Sequence, residues 1–377
     1  MLVFIGFILI LLLVVAHEAG HFFAARRNGI EVEEFGVGFP PRAKVLTKKN
    51  GTEYTINWLP LGGFVKLKGE NDSDTEPGSF GAASLPAKVK VMLAGVGMNF
   101  LIAYIMFTII AVIGMPQLVE NQFTVPSDTK VVEQQVLAGF VEPDSPAAKS
   151  GLQQNDQIVS ITQTGDCTDC KSFALTEESQ LSEATKSLAD SEVDLIVIRG
   201  GDTKTLTTTL LDEQTVAASK ETDNPKGYLG VVPTAFSTQR STWSAPIVGA
   251  GLTIQFTQLT FQGLWSIITG LMQGDTAQAT RQVSGVVGVG YIFSSASFLG
   301  PVFMLMIVAV ISLSLAIMNL LPIPALDGGR LFVTLLYRAM KKPLTQQIEE
   351  RIHGTGFVLL MVLFVLITIV DVNRFVL

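Results

Sequence analysis

The sequence predicts a polytopic α-helical membrane protein with about four transmembrane helices, a re-entrant β-hairpin and an inserted extracytoplasmic α+β domain. The first reason is apolarity. Of 377 residues, 48% are hydrophobic and 16% charged, against about 25% charged in soluble domains. The second is segmentation: residues 1–25, 89–115, 301–321 and 355–370 are apolar runs close to the about 20 residues that a helix needs to cross a bilayer. The third is a change of character over 117–235. There VLAGFV, QIVSI, DLIVIR and TLTTTLL read as short strands separated by turns.

The first run, MLVFIGFILILLLVVA, carries no charged side chain and leads directly into His17-Glu18-Ala19-Gly20-His21. No basic stretch precedes it, and cleavage of a signal peptide would fall beside the motif, so a retained span is expected. Residues four apart share a helix face, so His17 and His21 point at one ion, and Glu18 stands beside the first ligand as a base for the attacking water. Two of the chain's three histidines lie here. Ionisable groups at membrane depth are costly and usually functional. The expected cofactor is Zn²⁺, for which neutral imidazole is a good ligand.

Charge gives an orientation. Residues 26–90 hold ten Lys and Arg, and 330–351 hold five more; 116–300 also hold ten, but against twenty acids. The positive-inside rule places 26–90 and 330–351 in the cytoplasm, with the N-terminus, 116–300 and the C-terminus outside. His17 and His21 then lie near the cytoplasmic end of the first span of a bacterial inner-membrane protein. The net charge of −7 argues against nucleic acid as a partner and leaves membrane lipid and membrane proteins.

Residues 44–69 alternate about Asn50-Gly51, a strong hairpin signal. Trp58, Leu59, Leu61, Phe64 and Val65 make the second half apolar. The expectation is a re-entrant hairpin beside the active site. Its free edge near Gly62, Gly63, Phe64 and Val65 would pair with an extended substrate. Residues 70–86 read as a polar loop.

Within 117–235, SPAAKSGLQQNDQIVSI (145–161) resembles the helix-turn-strand of a PDZ domain. Asn155 stands where that family has Gly, and Asn tolerates left-handed backbone. Gly227, Tyr228, Leu229, Gly230 and Val231 resemble the PDZ carboxylate-binding loop. Their place at the end of the domain implies a circular permutation. Cys167 and Cys170 lie in a polar insertion and suggest a local disulfide. Residues 243–299 contain only Asp275 and Arg281 as charges. They read as amphipathic helices on the outer membrane surface, with Gly285 to Gly290 as a glycine-rich link. The expected parts are thus a membrane core over 1–115, the PDZ domain over 117–235, surface helices over 243–299 and a second membrane core over 300–377.

A catalytic zinc site needs a third protein ligand. Asp327, in NLLPIPALDGGRL at the cytoplasmic end of the third span, matches the depth of the histidines. Pro322 and Pro324 break the helix before it, and Gly328 and Gly329 allow close backbone approach. His353 reads as a surface residue at the start of the last helix.

HEAGHFFAARRNGIEVEEFGVGFPPR, LPLGGFVKL, the PDZ-like module and NLLPIPALDGGRL, in this order, resemble the site-2 protease family of intramembrane zinc metalloproteases. The nearest resemblance is to the bacterial regulator-of-sigma-E type, with a single PDZ domain. The resemblance implies zinc at His17, His21 and Asp327 and Glu18 as catalytic base. It implies a substrate or oxyanion contact at Asn319, and Asn99 matches a family asparagine on the second span. It also implies single-span membrane substrates such as anti-sigma factors. The family's AGP is Ala94-Gly95-Val96 here and its GPVG is Gly285-Val286-Val287-Gly288, each lacking the proline.

Overall fold

The computed structural model describes residues 2–165, 170–220, 225–275, 283–296 and 299–375. They form two units: residues 1–113, 122–125 and 243–377 make the first, 114–121 and 126–242 the second.

Among the described residues, the first unit contains four helices long and apolar enough to cross a membrane. They are α1 (Leu2–Arg27), α2 (Leu85–Ile113), α8 (Gly300–Leu320) and α10 (Gln346–Phe375). The fold is therefore that of a multi-pass membrane protein. At the end of α1, Gly29 adopts φ +75°. Gly29 N–H donates to Arg26 O and Ile30 N–H to Ala25 O (3.0 Å), a Schellman stop, with Arg26 and Arg27 favourably placed in the last turn. Small residues let α1 approach α2: a Cβ on Gly20 would lie 2.5 Å from Ala94 O. The helices α2 and α8 are tied by Ser312 Oγ donating to Asn99 O at 3.0 Å.

The strands β1 (Val32–Lys49) and β2 (Thr52–Leu67) flank the Asn50-Gly51 turn. Both turn residues have positive φ, 52° and 84°, as a type I′ turn requires. The strands are longer than the alternation over 44–69 suggests, because each folds back within the sheet. Residues 42–49 pair with 57–52, and 32–37 pair with 67–63. Phe35 is opposite both Val65 and Tyr54, so 32–37 is interior and 63–67 forms an edge among the described residues. The polar loop after β2 is pinned by Phe80 N–H to Lys68 O and by the fully buried Lys88 on Asp72.

Residues 245–273 form one helix, α6 (Ala245–Gln273). Its buried Val248, Leu252 and Phe256 recur at helical spacing, and Phe256 stacks on Phe107 of α2 at 5.5 Å. The glycine-rich link is in fact helical from Val286: α7 (Val286–Ala296) follows because Asp371 Oδ2 accepts N–H groups from Gly285 (2.8 Å) and Gly288 (2.7 Å), a side-chain cap supplied from α10. After α8, the turn at Pro322 and Pro324 leads into α9 (Asp327–Ala339).

The second unit is built on a sheet of strand order β3-β9-β4-β5-β7-β8, with β6 on β5. The strands are β3 (Met115–Pro116), β4 (Lys130–Val141), β5 (Gln157–Gln163), β6 (Ser172–Ala174), β7 (Glu192–Arg199), β8 (Asp202–Thr209) and β9 (Val231–Arg240). Helices α3 (Pro146–Lys149), α4 (Glu178–Ser187) and α5 (Glu213–Ser219) complete it. Its core gathers Val136, Ile158, Ile161, Leu188, Leu195 and Leu229. Ser145 caps α3 through its Oγ, 3.1 Å from Ala148 N. Asn155 has φ +72°, the left-handed turn expected of it. Cys170 is disulfide-bonded; Cys167 lies outside the described residues.

Candidate active site

His17 and His21 stand one turn apart on α1, and Asp327 is the first residue of α9. Asp327 does not cap its helix: Leu326 occupies the cap position, and the carboxylate turns to the histidines instead. Asp327 Oδ2 lies 3.0 Å from His17 Nε2 and 3.2 Å from His21 Nε2, and the two Nε2 atoms are 3.2 Å apart.

The donor set fits zinc. It offers two imidazole nitrogens and a carboxylate oxygen, three ligands that leave a fourth position open. Ligand atoms bound tetrahedrally at about 2.0–2.1 Å stand about 3.3–3.4 Å apart, close to the separations seen. His21 Nδ1 lies 2.8 Å from Val91 O. Its proton goes to that carbonyl, which leaves Nε2 bare for a metal and fixes the ring. His17 Nδ1 is buried without a partner among the described residues. Gly95 of α2 leaves room for the site: a Cβ there would collide with His21 Nε2 and lie 2.6 Å from His17 Nε2.

Glu18 is within electrostatic reach of all three residues, and the Val65 backbone amide hydrogen-bonds towards its carboxyl. Gly63 of β2 faces the same side chain, a Cβ on it falling 3.5 Å from Glu18 Cγ. The Asp327 helix begins against its own approach turn. A Cβ on Gly328 would collide with Leu320 O and one on Gly329 with Ile323 O, so both glycines are needed there, as anticipated.

Residues 5–363 match the model of peptidase family M50. The chain belongs to peptidase family M50. A provisionally named zinc metalloprotease of Clostridium perfringens is 32% identical over 96% of this chain and 95% of its own length. The regulator of sigma-W protease RasP of Bacillus subtilis is 27% identical over 98% of each chain. The zinc metalloprotease RasP of Oceanobacillus iheyensis is 26% identical over the same shares. M50, the site-2 protease family, is the one the motifs resemble. This M50 member is thus a zinc metalloprotease, a hydrolase of peptide bonds.

Other residues singled out in the sequence are placed differently. Asn319 donates Nδ2 to Leu315 O of its own helix at 3.0 Å. Asn99 is buried, and its Oδ1 has no partner among the described residues. Gly62 takes φ +88° at the bend before the edge strand. In the second unit, Tyr228 O accepts from Leu211 N–H, Leu229 O from Ala147 N–H and Gly230 O from Glu142 N–H. Gly230 has φ +74°, Gly227 borders a cavity of about 410 Å³, and Val231 starts β9. Two features of the candidate site gave no signal in the residues read alone: the Val91 carbonyl and the space at Gly95.

Proposed function

We propose that this M50 protease cuts single-span membrane proteins inside the bilayer, anti-sigma-factor-like proteins among them. The observation that carries the reading is the meeting of His17, His21 and Asp327 at the end of an apolar helix, with a strand edge against Glu18. The regulator of sigma-W named among the relatives supports the substrate class.

Zinc, when bound, makes water acidic enough to act as a nucleophile near pH 7 and polarises a carbonyl oxygen. His17, His21 and Asp327 would hold it. Glu18 takes a proton from the attacking water as its oxygen bonds to the scissile carbon. It then gives that proton to the leaving nitrogen as the C–N bond breaks, and so ends unchanged. The substrate helix must first unwind, because its carbonyls are otherwise hydrogen-bonded. The edge strand at Gly62, Gly63, Phe64 and Val65 receives it as an added strand. Phe39, Leu46, Trp58 and Leu59 are exposed on the same sheet, which favours a re-entrant hairpin in an apolar setting.

The positive-inside distribution orients the chain with the N-terminus and the inserted unit outside and the site near the cytoplasmic face. The inserted unit is read as a circularly permuted PDZ domain. Supporting this, β9 follows the GYLG loop, pairs with β4 along its length and packs near α4. Residues 243–299 are read as membrane-surface helices. The test compares purified full-length wild type, Glu18→Gln and Asp327→Ala for zinc content and for cleavage of single-span proteins. Glu18→Gln keeps zinc and loses cleavage; Asp327→Ala loses zinc. Cleavage by Glu18→Gln, or full zinc in Asp327→Ala, overturns the assignment.

A further inference from the structure

The third histidine of the chain borders one cavity with Asp327. Asp327 is reached through a tight turn in which Ile323 N–H donates to Leu321 O at 2.7 Å and Leu326 N–H to Ile323 O at 3.1 Å. Between those bonds, Ala325 has φ +78°, a left-handed conformation that a Cβ disfavours and that glycine adopts freely. Something outside the turn must hold it. Ala325 N–H donates to Nδ1 of His353, 3.1 Å away, on the first turns of α10. Gly356 lies three residues on, on the same face of that helix. A Cβ on Gly356 would lie 2.5 Å from Pro324 O, so the missing side chain lets α10 seat against the turn. His353 and Asp327 also border one cavity of about 470 Å³, with Arg330 and Glu349.

We propose that His353 is a positioning residue for the metal site. By accepting the Ala325 N–H it holds a left-handed alanine two residues before Asp327, and so sets the direction from which the Asp327 carboxylate reaches His17 and His21. The residue touches neither substrate nor metal. The inference rests on the reading of Asp327 as a zinc ligand.

Geometry supplies discriminating variants. An asparagine oxygen falls near the position of imidazole Nδ1, whereas a glutamine oxygen falls near Nε2. Glycine at 325 removes the need for a clamp. The measurement is zinc affinity of the full-length protein in detergent, by competition with a chromogenic chelator, alongside thermal unfolding. His353→Leu should weaken zinc by about 10- to 100-fold, as loss of a group that orients a ligand does. His353→Asn should restore most of that affinity and His353→Gln should not. In an Ala325→Gly background, His353→Leu should cost far less.

Wild-type affinity in His353→Leu, equal affinities in the Asn and Gln variants, or an undiminished loss in the Ala325→Gly background each overturn the proposal. Should His353→Leu not fold, the Asn and Gln pair decides. Asp327→Ala, measured in parallel, separates the two readings. If it leaves zinc affinity unchanged, the ligand assignment has failed; if it abolishes affinity while His353→Leu does not alter it, only the clamp has failed.

Discussion

Gly95 of α2 faces His21 of α1 so closely that a single added carbon would occupy the space between the two imidazole Nε2 atoms. The absence of a side chain on one helix is therefore what leaves room for the proposed metal site on another. Gly95→Ala should overpack this gap at a cost of about 1–3 kcal/mol, lowering zinc affinity roughly tenfold to a hundredfold. Metal analysis of the purified variant checks this. A variant that keeps full zinc would show that the gap is not the metal's.

The edge strand makes a different prediction. Phe64→Pro removes a backbone N–H from the edge strand and should raise KM for a membrane substrate with zinc content unchanged. Phe64→Ala, which keeps the backbone donor, is the control for lost packing against Gly36. If both variants raise KM equally, the effect comes from the side chain, and strand addition is wrong.

Asp156 governs the stability of the inserted unit. It is 2% exposed and accepts from Arg199 Nε at 2.7 Å and Gln153 N–H at 2.8 Å. Arg199→Met strands a buried carboxylate, at a cost of about 3 kcal/mol. Limited proteolysis of the full chain should then open residues 126–242 at a lower temperature, while zinc binding stays as it was. Unchanged protease resistance would mean that Gln153 and solvent suffice for Asp156.

The ends of that unit are adjacent: Met115 pairs with Gln239, and Gln117 N–H donates to Ser237 O at 3.0 Å. A short linker can therefore replace residues 117–235, a deletion that also removes residues 122–125 of the first unit. If the unit excludes substrates with bulky outer domains, this deletion should speed cleavage of intact substrates and leave trimmed ones unaffected. Equal slowing of both would point to a binding role instead.

Much of the candidate site was legible because side-chain chemistry left marks at fixed spacing. His17 and His21 are one helical turn apart, and Asp327 follows two helix-breaking prolines at matching depth. Asn50-Gly51 and Asn155 announced their left-handed backbone in their residue types. What stayed hidden involves groups without a residue-type signature. The Val91 carbonyl could belong to any residue, and the vacancy at Gly95 has meaning only once α1 and α2 are packed. The helix α7 was missed because its cap, Asp371, comes from more than eighty residues away in the chain, where no local rule finds it. His353 read as a surface residue for the same reason: its partner is a backbone N–H, and only the φ of Ala325 shows why that bond matters.

The most direct test is to map the bond that is cut. A purified single-span substrate, reconstituted with the full-length protein in vesicles, is analysed by mass spectrometry of its fragments. The expected result is a product terminus inside the apolar span, present with wild type and absent with Glu18→Gln. Cleavage confined to the flanks outside the span, or the same intramembrane terminus from Glu18→Gln, would contradict hydrolysis by this site within the membrane.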